Sequence, residues 1–588
     1  MGKTPSVPRP LYFVTLKPLK KVNNQNSAGL ELCLFAPRND EVKLISSWNE
    51  WKPQPMTRGK DGWWRIKATL SDGQHFYKFS VKSKSYFAKD QWLEVFDPYA
   101  ISITDDEQER SVLRVKNGQR VWTDYAWRHD DHPLPPNEQL VIYEMHVGDF
   151  SGGKGDRGDK RLKGKFSDVT EKLDYLSGLG INSLELMPVK EFPGKSWGYN
   201  LRSLFAVDSG YGPPEELCRL VDECHGRGIR VIVDGVYNHA DADAPLAKID
   251  YEYWFYRDNP DPPNLQWGPK YNYGYYDSNL KLYPARKYAV ESILFWIEHF
   301  HIDGIRFDAT RAIGDFNMMR EFTDAAFNKV AKRKPFFTVA EHLPEDPAIT
   351  GYPKGPMIAA WHEALANQLR AVVMQHEYRD SQPGDLDSLA KRLNPATNGY
   401  SSGNHVVNFL GNHDQQRILR DIADTVHIFG DAAFRRVKLA LGILLTSPGL
   451  PMIWMGQEFG VADQKTPEPQ PMDWTLLANK DNKDLHDFCA RLIKLRRENP
   501  ALWGDNFEVV LLDANRSILA YKRWNEAGGV VVVVINTKDE PTGEFIIENA
   551  GLEDGAWREH IKNRKFQMTG RQIKDVLEPG EIKIFIKE

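Results

Sequence analysis

Four short motifs place acidic and basic side chains at the ends of apolar runs. DGVYNH carries Asp234, Asn238 and His239; GIRFDA carries Arg306 and Asp308; TVAEH carries Glu341; NFLGNHD carries His413 and Asp414. Each has an ordinary explanation alone, since an aspartate at a strand end usually caps a helix or shapes a turn. Together, three aspartates, a glutamate, an arginine and two histidines suit one chemistry. Cleaving a glycosidic bond with retention takes an ionised carboxylate as nucleophile and a carboxylic acid across the scissile bond, about 5–5.5 Å apart. Arg306 stands two residues before Asp308, on the same strand face, and a cation there favours the ionised carboxylate. Glu341, among aspartates in a partly desolvated site, is the candidate acid that stays protonated near neutral pH. The other polar groups then hold sugar hydroxyls more tightly as the ring flattens towards an oxocarbenium ion.

Such residues meet only if their strands run side by side. From Leu140 the chain alternates apolar strands with amphipathic helices: LVIYEMHV (140–147), SLELMPV (183–189), RVIVDGV (230–236), GIRFDA (304–309), FFTVAE (336–341), PMIAAWH (356–362), HVVNFL (405–410) and MIWMGQE (452–458). Eight near-continuous apolar strands separated by helical patterns predict a parallel (β/α)8 TIM barrel over 140–504, an α/β fold. In that fold the C-terminal strand ends converge on one mouth, which gathers the four motifs. A doubly wound open sheet is the structural alternative. Short alternating segments over 1–105 (GLELCLFAP, EVKLIS, GWWRIKATL, HFYKFSV) predict an N-terminal β-sandwich, and SILAYKRW, VVVVVINT and EIKIFIKE predict a second one over 505–588. The polar stretch 106–139 reads as a linker. The segment 239–286 is long and aromatic (YEYWFYR, Trp267, Tyr271, Tyr273, Tyr275, Tyr276), either a wall of sugar-stacking rings or a small core that folds the loop.

The four motifs, in this order, resemble the signature regions of glycoside hydrolase family 13, the α-amylase family. The resemblance implies Asp308 as nucleophile, Glu341 as general acid/base and Asp414 as a carboxylate gripping substrate hydroxyls. It implies His239 and His413 as sugar contacts, Arg306 as the residue orienting the nucleophile, and Asp234 as a support. Tyr199, in SWGYN, matches the family's tyrosine under the ring being cleaved. Asn238 matches a calcium-binding position of many amylases, but members with an N-terminal module often lack that ion, so no metal and no cofactor are expected. FAP (35–37), SSWNEW (46–51), DGWW (61–64), FYKFSV (76–81) and DPYA (97–100) resemble carbohydrate-binding module family 48. There Trp48, Trp51 and Trp63 either stack on glucan or pack.

Within the family, MGQEFG (455–460), PMDW (471–474) and DFCARLIKLRRENPAL look most like glycogen branching enzymes, acting on an α-glucan such as glycogen or starch. Gln415 and His342 depart from that pattern. NHDQ and WGY look more like maltooligosyltrehalose trehalohydrolase, from which Arg311 departs. Branching is therefore expected, with α-glucan hydrolysis as the alternative. A catalytically dead glucan-binding protein is the other class, and the three intact acids argue against it.

Composition excludes much else. Lys+Arg 76 against Asp+Glu 81 gives a net charge of −5, with no basic surplus for a nucleic-acid partner. Four cysteines in 588 residues make no disulfide scaffold and no zinc pair. The N-terminus has no signal-like apolar core, and LALGILL and VVVVVI are far short of the roughly 20 residues of a membrane span. A cytoplasmic protein with no membrane partner is expected.

Overall fold

Strands Leu30–Phe35, Thr57–Arg58 and Trp63–Ala68 make one antiparallel sheet; Val42–Ser46, Gly73–Lys82, Trp92–Val95, Ser111–Lys116 and Gln119–Val121 belong to another. Their alternating residues Leu32, Leu34, Leu44, Tyr77, Phe79 and Val81 are buried, as period-2 patterning requires. The computed structural model of the chain describes residues 29–588 apart from 152–163, 195, 331–333, 467, 469 and 549. The N-terminal stretch read as lacking a signal core lies in 1–28, outside the described residues. Among those described, no helix is long and apolar enough to cross a membrane.

Two strands of the second sheet fall inside 106–139, the stretch expected as a linker. Arg114 pairs with Val121 and Lys116 with Gln119, leaving Asn117 and Gly118 as a two-residue turn, both at positive φ (53° and 68°). Asn-Gly in that conformation is the preferred connection of a tight hairpin, a signal the polar composition of the stretch concealed. After the hairpin the chain lies along the barrel, held by the buried carboxylate of Asp222 on the helix Pro214–His225. That carboxylate accepts from Tyr125 Oη (2.7 Å), the Arg128 and His129 amides (3.0 and 2.9 Å) and Arg128 Nε (3.1 Å). Burial raises its pKa, but these donors outweigh burial and bring it down to about 2. A folded value below the unfolded ~3.9 stabilises above that pH and is lost as pH falls through about 2. Asp222→Asn is therefore expected to cost about 1–3 kcal/mol near neutral pH. The gap in thermal midpoint from the parent narrows as pH drops from 5 towards 2; a constant gap would mean the charge is not what matters.

Strands Ile142–Met145, Ser183–Leu186, Arg230–Gly235, Gly304–Phe307, Phe337–Ala340, Ala359–Trp361, Val406–Phe409 and Leu450–Trp454 pair in sequence order, all in parallel, and the eighth closes on the first. The predicted TIM barrel is therefore the observed one, and the doubly wound sheet is excluded. Ile142, Ile232, Phe337, Val339, Trp361, Phe409 and Met452 fill its interior. Helices cover it by burying one stripe each: Pro284–His299 starts on its proline and buries Tyr288, Ile293 and Trp296. Trp296 Nε1 is satisfied by the Leu204 carbonyl at 2.8 Å.

The N-terminal sheets dock on the 239–286 segment. Arg38 forks onto Asp250 through Nε and Nη2 at 2.6 and 2.5 Å, and Phe35 packs on Tyr253 and Trp254; outside the segment, Tyr99 packs on Phe205 and Tyr288. In that segment Tyr253, Trp254, Phe255, Tyr271 and Tyr273 are buried, so these five rings form a small core and not a sugar-stacking wall. Trp267, Tyr276 and Tyr283 remain exposed. Trp63 lies between Phe35 and Tyr99, which makes it a packing residue; Trp48 packs on His75 and Tyr77, while Trp51 is exposed.

At the C-terminus, six strands (Phe507–Asp513, Ile518–Trp524, Val530–Asn536, Ile582–Lys587, Gly555–Glu559, Arg564–Met568) form one sheet, faced by the pair Glu544–Ile547 and Ile573–Val576. Val532, Val534, Phe545, Ile547, Trp557 and Phe585 are the core between them.

Candidate active site

Each sequence-predicted residue sits at the C-terminal mouth of the barrel. Asp234 and Arg306 are register partners on the third and fourth strands, so their side chains enter the barrel side by side. Asp308 and Glu341 are the first residues past the fourth and fifth strands, and His413 and Asp414 follow the seventh.

A single guanidinium ties these groups together. Arg306, 1% exposed, gives Nη1 to both oxygens of Asp234 (2.6 and 2.7 Å) and to Asp308 Oδ1 (2.9 Å). Its Nη2 goes to Glu341 Oε2 at 2.5 Å. The planar fork suits several carboxylates at once, which an ammonium could not serve equally. Asn238 Nδ2 donates to the other Asp308 oxygen at 3.1 Å, while Asn238 Oδ1 engages the amide and Nδ1 of His239, both at 2.8 Å. His239 thus reaches Asp308 through Asn238, and its buried Nε2 has no partner among the described residues. Ala309, next after Asp308, has φ of 38°, and its amide donates to Glu341 Oε2 at 3.0 Å. This strained turn couples the two carboxylates through the backbone as well. Tyr199 donates to Asp234 Oδ2 at 2.7 Å, and its ring stacks on His413 at 5.0 Å. His413 Nε2 lies 3.5 Å from Asp414 Oδ2, and the Asp414 side chain is about half exposed, at 52%.

Sequence comparison gives this mouth its family. The alpha amylase catalytic domain matches residues 148–506. This chain belongs to the α-amylase family. Residues 20–100 match carbohydrate-binding module 48, described as the isoamylase N-terminal domain. A 1,4-alpha-glucan branching enzyme of Bacillus caldolyticus is 24% identical over 564 residues, covering 89% of this chain and 79% of that protein. A malto-oligosyltrehalose trehalohydrolase of Saccharolobus solfataricus is 30% identical over 361 residues, 57% of this chain and 60% of that one. Among solved structures, a pullulanase from Anoxybacillus sp. LM18-11 complexed with maltotetraose superposes with a TM-score of 0.76 at 20% identity, covering 96% of this chain and 87% of that one. At that identity it is the fold that is shared.

In this α-amylase-family site, burial raises the Asp308 carboxyl well above its ordinary value; Arg306 pulls it down, and Glu341 and Asp234 push it up. Arg306 alone therefore does not leave Asp308 ionised, as its place two residues upstream suggested. Burial also drives His239 down to about 4, so it is a neutral imidazole at physiological pH. Burial opposes charging of His413 too, yet Asp414 and Glu144 outweigh it and raise it to about 9. The resulting imidazolium, with Lys465, holds the Asp414 carboxyl below its usual range.

Sequence reasoning missed four contributors. Glu144, on the first strand, accepts from His413 Nδ1 at 2.7 Å. Glu185, its register partner on the second strand, is buried beside it. Trp361 lies under the Arg306 guanidinium at 4.4 Å. Lys465 stands 3.8 Å from Asp414 Oδ1. Glutamates inside the apolar runs LVIYEMHV and SLELMPV were the one available signal, because an acid at an inward strand position needs a partner. Of the departures from the family patterns, Gln415 is buried, His342 bonds Thr310 Oγ1 at 2.9 Å, and Arg311 is exposed.

Proposed function

We propose that this chain is a retaining α-glucan transglycosidase. It cleaves an α-1,4-glucosidic bond and passes the glucosyl chain to a 6-hydroxyl, the branching reaction. The observation that carries the reading is the single Arg306 guanidinium bonded to Asp234, Asp308 and Glu341. It gathers a nucleophile and an acid at one point of the barrel mouth. In the reacting complex Asp308, held by two donors, Arg306 and Asn238, is the carboxylate, and Glu341 is the carboxylic acid. Asp308 attacks C1 as the C1–O4 bond breaks, and Glu341 delivers its proton to O4. The acceptor 6-hydroxyl next gives its proton to the Glu341 carboxylate and attacks C1, releasing Asp308. His413 and Asp414 hold ring hydroxyls more strongly as positive charge develops at C1. The substrate class draws support from the maltotetraose in the pullulanase. Branching draws support from the likeness to the Bacillus enzyme, which runs through both β-domains. Hydrolysis is the second reading, favoured by the higher identity to the trehalohydrolase over its shorter match.

Incubation with amylose, following iodine colour and reducing ends together, separates them. Colour loss without new reducing ends is the expected result. Colour loss with new ends moves the assignment to hydrolysis. No change on amylose, with trehalose released from a trehalose-capped maltooligosaccharide, moves it to the trehalohydrolase.

A further inference from the structure

The geometry points to Glu144 as a positioning residue that keeps His413 an imidazolium, with Nε2–H aimed at Asp414 and the sugar hydroxyls beside it. The inference rests on the glycosyl-transfer reading and adds to it a residue from the first strand.

Glu144 and His413 are both nearly inaccessible, with side chains 2% and 3% exposed, and they meet at 2.7 Å through Oε1 and Nδ1. Because Nδ1 is committed to Glu144, Nε2 is the only ring nitrogen left for the mouth. The rings of Tyr199, Trp197, Trp361 and Trp454 surround the imidazole and fix its plane. The charged groups facing it are Glu144 from the first strand, Asp414 from its own loop and Arg306 from the fourth strand. The two acids favour the cation and Arg306 opposes it.

Glu185 makes the arrangement specific. It is the register partner of Glu144, and its Oε2 is buried with no partner among the described residues. Burial first, and the neighbouring Glu144 second, raise its carboxyl well above the ordinary range. Burial raises the Glu144 carboxyl too, but Glu144 has what Glu185 lacks: a hydrogen bond to His413, whose positive charge pulls its carboxyl back down. Removing Glu144 takes from His413 a buried counter-charge that Asp414, half exposed, replaces only in part.

The test compares the parent with Glu144→Gln, Glu185→Gln and His413→Gln across pH 5–10. In the parent, kcat/KM on amylose is expected to fall along an alkaline limb near 9, the titration of His413. In Glu144→Gln that limb moves down by at least about one unit, so the loss grows about fivefold or more between pH 6 and 9 and approaches roughly tenfold by pH 10. In Glu185→Gln it stays in place. A loss by one constant factor at every pH, or a limb that moves in Glu185→Gln instead, overturns the inference.

Thermal unfolding reads the same pair without activity. His413 is raised in the folded protein above its unfolded ~6.5, so its stabilisation is complete below that value and is lost as pH rises to about 9. The gap in midpoint between the parent and Glu144→Gln is expected to be largest near pH 6 and to shrink towards 9. An inactive parent that shows this gap would reject glycosyl transfer while keeping the pair; an active parent without it would reject the pair alone. Should Glu144→Gln not fold, His413→Gln decides: the parent's loss of midpoint between pH 6.5 and 9 vanishes in that variant, or the inference is wrong.

Discussion

Asp308→Asn is expected to lower turnover on amylose by about 10⁵-fold, roughly 7 kcal/mol of barrier, with maltotetraose binding retained. An amide has no charge with which to attack C1 and forms no glycosyl intermediate. Because Asn keeps the shape of Asp, the Tyr199–His413 stack and the Arg306–Asp234 pair persist, and sugar contacts with them. The fold bears a moderate cost. Both Asp308 oxygens face donors, Arg306 Nη1 on one side and Asn238 Nδ2 on the other, so the new NH2 must confront one of them. Asn238 cannot turn its oxygen inward without abandoning His239. One unsatisfied buried donor is worth about 1–3 kcal/mol, offset in part by removal of a carboxyl that burial already disfavours as an anion. Turnover within tenfold of the parent, measured as iodine colour loss, would remove Asp308 as nucleophile.

Arg306→Met is expected to do more damage to the fold than any other single change at the mouth. Arg306 is the shared counter-ion of Asp234, Asp308 and Glu341, and removing one partner of a buried ionic group costs about 3–5 kcal/mol. The abandoned carboxyls respond by binding protons, so their folded values rise above the unfolded ones. That sign makes the variant lose most stability at high pH and recover part of it towards pH 5. Thermal midpoints at pH 5 and 8 check this: the deficit against the parent grows with pH, and an equal deficit at both would mean that Arg306 acts only by filling space. Arg306→Lys restores a charge but not the fork, so folding returns towards the parent while activity stays about 10³-fold or more down (~4 kcal/mol). Activity fully restored by Lys would show that point charge, and not geometry, is what the site uses.

Both outcomes depend on features with different standing in the sequence. Barrel strands and the order of acids along them were legible because inward positions recur with period two and because apolar runs buried on both faces look unlike half-exposed ones. The family followed from motifs that are each contiguous. Less was visible where one dipeptide outweighed its surroundings: Asn117-Gly118 turns a polar stretch back into the N-terminal sheet. Aromatic content in 239–286 could not say which rings face solvent, since that depends on the N-terminal sheets packing against them.

What the sequence determines by itself is therefore the set of chemical groups and the strand end on which each is carried, as in Asp234, Arg306, Asp308 and Glu341. Only the tertiary structure decides their charge and their partners. Glu144 and His413 are 269 residues apart, Lys465 reaches Asp414 from 51 positions away, and Asp308 is pushed up by burial that no neighbour in sequence supplies. The reason is physical. Alternation along a strand is a local property of backbone geometry, whereas desolvation and Coulomb interaction depend on distance in space, and in a closed barrel the groups nearest in space come from strands far apart in the chain.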